Sequence, residues 1–83
     1  MRIVFENVGR NRESWEADYP HEVSLEAAAE NEGWWLRQLR GVILSSPDWA
    51  YNAKDNCVYI FAGWCCVGTA RIAKHENREA TND

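Results

Sequence analysis

A chain of 83 residues makes one domain at most, and a domain of that size buries only about 60 % of the surface its unfolded form exposes. Apolar residues at 46 % with five Trp, three Tyr and two Phe supply a core and exclude a disordered chain. The net charge of −4 opposes direct contact with nucleic-acid phosphate or anionic lipid, and three cysteines, two of them adjacent, make a poor disulfide framework, which points to a reducing compartment.

In chain order, IVFENV at 3–8 is β-branched and aromatic, GRNR is a polar turn, and SWEADY at 14–19 alternates Trp15, Ala17 and Tyr19 against Glu16 and Asp18. This pattern predicts a β-hairpin with one buried and one solvated face, ended by Pro20, which has no N–H for a ladder. Ser24 as N-cap, Glu26 in the first turn, Arg37 and Arg40 in the last and Gly41 at C′ predict one helix from about Leu25 to Arg40. At 100° per residue Leu25, Ala28, Ala29, Trp35, Leu36 and Leu39 share a face, Glu26, Glu30 and Arg37 lie on another, and Trp34 projects away from the apolar stripe. Glu32 falls within that stripe, and Gly33 costs about 1 kcal/mol relative to Ala in a helix interior. Either the helix bends near Gly33 and frees Glu32 to water, or Glu32 is a carboxylate held at an interface for a cation.

Residues 42–44, VIL, read as a short strand, and SSPD as a turn or a single helical turn with Ser46 as cap and Pro47 at its first position. WAYN and CVYIFA flank AKDN as a second hairpin, and CCVGTARIA follows the AGW turn as a further strand. CVYIF is apolar on both faces, which predicts a central strand with Trp49 or Trp64 over its far side. KHENREATND at 74–83 is polar and reads as a frayed tail. The expected fold is α+β over residues 1–73: an antiparallel sheet of four to five strands, formed by an N-terminal hairpin and a C-terminal meander, with one main helix packed on one face. The longest apolar stretch, CVYIFAGWCCVG, is shorter than the roughly 18 residues of a membrane helix, so no membrane partner is expected.

Cys57, Cys65, Cys66 and His75 contain no C-x-x-C knuckle, and adjacent cysteines on a strand point to opposite faces, so no metal is expected and the thiols read as small buried hydrophobes. Nothing brings His21 or His75 to a cysteine as a nucleophile's base, and a domain this small leaves little room for a cleft between Glu16 and Asp18. No enzyme and no cofactor are expected.

Charge is the one feature that points to a partner. Residues 13–32 hold seven carboxylates and no Lys or Arg; residues 1–32, with eight acids and three arginines, sum to −5, and residues 33–83, with five acids and six bases, to +1. Like-charged rows such as Glu16 with Asp18 and Glu26 with Glu30 cost a few tenths of a kcal/mol each. One reading is a solvated face balanced by Arg2, Arg10, Arg12 or Arg37. The other is a partner-binding surface of Glu13, Glu16, Asp18, Glu22, Glu26 and Glu30 for an Arg- and Lys-rich groove, with Trp34 as the apolar anchor, unless a second layer or a dimer mate covers that ring.

With its capped helix SLEAAAENEGWWLRQLRG, its meander WAYNAKDNCVYIFAGWCCVGTARI and its acids gathered on one part of the chain, the sequence resembles, as a class, the small phage-encoded inhibitor proteins that include the anti-CRISPRs. The resemblance implies inhibition by occupying a nucleic-acid-binding surface, often by imitating the charge of DNA, in the cytoplasm of a bacterial host cell. The expected function is a non-enzymatic acidic protein-binding domain that inhibits a basic nucleic-acid-binding complex of bacterial defence. The alternative is a self-associating structural or adaptor module, a homodimer held through Trp34, Trp49 and Trp64.

Overall fold

The two hairpins form as the alternation predicts. β1 (Arg2–Val8) pairs antiparallel with β2 (Glu13–Asp18), placing Arg2 opposite Asp18 and Val4 opposite Glu16. β3 (Pro47–Asn52), β4 (Cys57–Ala62) and β5 (Cys65–Ile72) make the meander. The last strand then inserts beside the first, Ile3 opposite Ile72 and Phe5 opposite Ala70, giving one five-stranded antiparallel sheet in the order β2-β1-β5-β4-β3. The computed structural model describes residues 1–43 and 46–73, so the tail expected at 74–83 lies outside the described residues. The fold is α+β, with the helices on one face of the sheet.

The single helix expected over 25–40 is in fact two, α1 (Leu25–Ala28) and α2 (Glu32–Leu39). Ser24 caps α1 by accepting from the Ala27 N–H at 3.1 Å, and Asn31 caps α2 by accepting from the Trp34 N–H at 3.3 Å. A cap side chain inside a helical run offers the backbone an alternative to the i→i−4 ladder, and the chain takes it. The bend anticipated near Gly33 therefore falls at 29–31, and Glu32 is exposed in the first turn of α2, where its charge suits the helix dipole. The break also resets the rotation of every later residue. Trp34, expected to project outward, is buried at 7 % exposure.

Trp35, with no exposed surface, is the centre of the core. Its ring lies 5.4 Å from Phe5 edge-on, 5.4 Å from Trp34 and 5.9 Å from Trp49 in a stack. Its indole N–H donates to the Ala28 carbonyl at 2.8 Å, and that of Trp49 donates to the Ala29 carbonyl at 2.7 Å. Trp49 thus satisfies a carbonyl that the early end of α1 leaves without a helical partner, and Trp35 adds a second donor to the Ala28 carbonyl, which also accepts from the Asn31 N–H at 3.0 Å. Trp15 stacks on Phe5 at 4.6 Å and donates to Gln38 Oε1 at 3.2 Å, tying β2 to α2.

The structure corrects four further expectations. Val42 and Ile43 belong to the turn after α2, not to a strand, and Leu44 and Ser45 lie outside the described residues. Pro47 opens edge strand β3 instead of a helical turn; an edge position tolerates its missing N–H. CVYIF, as β4, is the interior strand expected, between β5 and β3, but its far side is not covered as expected. Trp49 packs on the core side and Trp64 stands fully exposed at the β4–β5 turn, so no described element covers the far face around Val4, Tyr59 and Phe61. Last, the cysteines are not buried: Cys65 and Cys66 are exposed where β5 leaves the Gly63–Trp64 turn, and Cys57 is half-buried at the start of β4. No helix among the described residues is long and apolar enough to cross a membrane.

Candidate functional site

Strand direction divides the sheet into two ends. One end holds Met1, Asp18, Tyr19 and the β3–β4 turn at 53–56; the other holds the turn at Gly9–Arg12, the turn at Gly63–Trp64 and the start of β3. The helices keep this polarity. Asn31 Nδ2 donates to Tyr19 Oη at 3.1 Å, which fixes the start of α2 at the first end, and Val42 after α2 lies against Gly9 at the second.

All six acids of the expected binding surface are exposed, but they occupy different parts of this frame. Glu16 and Asp18 alternate with Trp15 and Ala17 and so stand on the face away from the helices. Arg2, on the same face, reaches both, with Nη1 3.3 Å from Glu16 and Nη2 3.2 Å from Asp18. One guanidinium fork thereby relieves the repulsion of that pair, in the way the solvated-face reading expects. Glu22 meets the Met1 ammonium at 3.0 Å. Glu26, in the first turn of α1, and Glu30, just past its end, belong to the helix layer, and among the described residues neither they nor Glu32 has an ion partner. Glu13 lies at the opposite end of β2, beside Arg12. Asp18 and Glu22 therefore lie at the Met1 end, Glu26 and Glu30 lie in the helix layer ahead of α2, and Glu13 is apart from them. Trp34 cannot anchor a partner from inside the core, where its ring sits 5.0 Å from Tyr19 and 6.0 Å from Phe5.

At the other end a groove of about 950 Å³ runs between the Gly9–Arg12 turn, Val42 and Ile43 after α2, and Val67 and Gly68 of β5. By sequence, GRNR reads only as a turn. The signal available there was two arginines within three residues, and for neither does any described carboxylate come within ion-pair distance.

On the uncovered face, the Tyr59 hydroxyl donates to the Asp55 carboxylate. That hydrogen bond, with smaller effects of burial, of the Asp55 charge and of Cys57, pushes the phenol up from 10.0 to about 12. Because the folded state favours the neutral phenol, its contribution to stability is complete below pH 10.0 and is lost as pH rises through about 12. The difference between spectrophotometric titrations of the parent and Tyr59→Phe is expected to show Tyr59 ionising at about 12, and Asp55→Asn should lower that value. A Tyr59 titration unmoved by Asp55→Asn would contradict the hydrogen bond.

No family model matches the chain, and neither curated proteins nor solved structures gave a match to it.

Proposed function

We propose that the chain is a non-enzymatic protein-binding domain whose acidic Met1 end docks on the basic surface of a nucleic-acid-binding complex, inhibiting it by occupying the place of nucleic acid. The observation that carries this reading is the run of exposed carboxylates Glu26, Glu30 and Glu32 in the helix layer, unpaired among the described residues. Exposed carboxylates without counter-charge repel one another, and a partner rich in Arg and Lys relieves that repulsion. The approach of acids from both layers suits a concave basic groove of the kind that holds a nucleic-acid backbone, and a bacterial defence complex offers such a groove.

The test has two steps. Protein captured on the tagged chain from bacterial lysate at low salt should include a nucleic-acid-binding complex that elutes as salt rises. With that partner, Glu26→Lys combined with Glu30→Lys should slow association by about tenfold or more at low salt, since charge patches act chiefly on the encounter rate. Both positions are exposed, so the thermal midpoint should move little. An association rate equal to that of the parent chain would remove the acidic-end reading.

A further inference from the structure

Among the described residues two large hydrophobic side chains are left exposed. Val23, at 40 % exposure, lies between Glu22 and α1 at the acidic end; Trp64, fully exposed, lies on the β4–β5 turn at the end that carries the Gly9–Arg12 groove. Charge is distributed the same way. Arg10 and Arg12 border the groove, and Arg40 closes α2 at that end; among the described residues none of the three has an ion partner. Two acids share the groove wall, but Glu6 is held by Arg71, which leaves Glu13 as the one unpaired carboxylate there among the described residues. The groove has apolar walls from Val42, Ile43 and Val67 and a volume within the range that receives protruding side chains or small ligands, about 300–1,000 Å³.

We infer that this groove receives the acidic end of a second copy of the chain, joining copies head to tail. Arg10 and Arg12 of one copy face Glu26 and Glu30 of the next, and Trp64 supplies the apolar contact that exposed charge pairs do not provide by themselves. The same molecule carries both halves of the contact, one at each end. Because the two halves differ, the contact is heterologous, and each added copy leaves one free end of each kind. The interaction uses the acidic end that the proposed docking function uses, so self-association and partner binding compete for it. It does not depend on the identity of that partner.

Sedimentation velocity of the full chain over a concentration series tests this. At about 50 mM salt the mean mass should rise steadily with concentration past that of a dimer, and at about 500 mM salt it should fall towards that of the monomer, because exposed charges more than a Debye length apart are screened. Arg10→Glu with Arg12→Glu sets acid against acid, and Glu26→Lys with Glu30→Lys sets base against base. Each double variant should be monomeric, and the quadruple variant, with both reversals in one chain, should regain association. Trp64→Ala removes a side chain with no contacts to lose in the monomer and should weaken association about tenfold or more. A parent chain that stays monomeric at low salt overturns the inference. So does a quadruple variant that remains monomeric, or a closed dimer indifferent to salt and to Trp64→Ala. The arginine reversals leave the acidic end intact, so failure here is separable from failure of partner docking.

Discussion

Trp35→Ala is expected to cost about 3–5 kcal/mol, the range for deleting a fully buried tryptophan. Small domains have about 5–15 kcal/mol in total, so the variant should be largely unfolded or retain a far lower urea midpoint. The size of the effect comes from what the ring does. It has no exposed surface, packs against Phe5, Trp34 and Trp49, and donates its N–H to the Ala28 carbonyl. Trp35→Phe separates the contributions. It keeps an aromatic ring and removes one of two donors to a carbonyl that still accepts from the Asn31 N–H, a loss of about 0.5–1.5 kcal/mol, smaller than that of alanine. A urea midpoint for Trp35→Ala close to that of the parent would mean that the core is not built around this residue.

The second large effect is expected at Gly68, in the central strand. A Cβ there would lie 2.7 Å from Val8 Cγ2 and 2.8 Å from Val8 Cα, with the Asn7 carbonyl oxygen at 3.1 Å. A side-chain tip can swing aside, but a Cα moves only with its strand. β1 comes this close because its register shifts between Phe5 and Val8, where Asn7 takes a φ of 54° and the strand bulges. Gly68→Ala should therefore cost about 1–3 kcal/mol through overpacking, and Gly68→Val should give no folded protein. Gly33→Ala is the matching control. Nothing lies within 4 Å of the added methyl and the site is helical, so stability should rise by about 0.4–1 kcal/mol. Equal thermal midpoints for the parent and Gly68→Ala would refute the close approach.

The strands were legible because their signals are local: the alternation of Trp15, Ala17 and Tyr19 with Glu16 and Asp18 needs no knowledge of the rest of the fold. The helix was legible in position but not in continuity. Asn31 reads as an ordinary polar residue until Tyr19 and the Trp34 N–H are seen to hold it, and an arrangement set by a tertiary hydrogen bond is invisible to periodicity. One misplaced break then turned Trp34 the wrong way, since a wheel carries any phase error to every later residue. The acidic surface was legible as composition and misleading as geometry. Glu13 and Asp18 bound the same strand, yet β2 carries them to opposite ends of the sheet. Arg2 is distant in sequence from Glu16 and Asp18 and becomes their neighbour only through strand pairing. The groove beside Arg10 and Arg12 is assembled from three separate segments, none of which has a motif of its own.

The place of β5 bears on how the chain is made. It is the last of the five strands to leave the ribosome, and it lies in the middle of the sheet, bonded to β1 on one side and β4 on the other. Until it emerges, the N-terminal hairpin with its helices and the β3–β4 hairpin have no shared ladder, and the inner edges of β1 and β4 stand unpaired. At about 5–20 residues per second the wait is short. During it the half-made protein displays Phe5, Trp34 and Trp35 beside open strand edges, the combination that chaperones hold and that neighbouring nascent chains aggregate through. Folding is then a single late event, in which the final strand closes the sheet and buries both halves of the core at once.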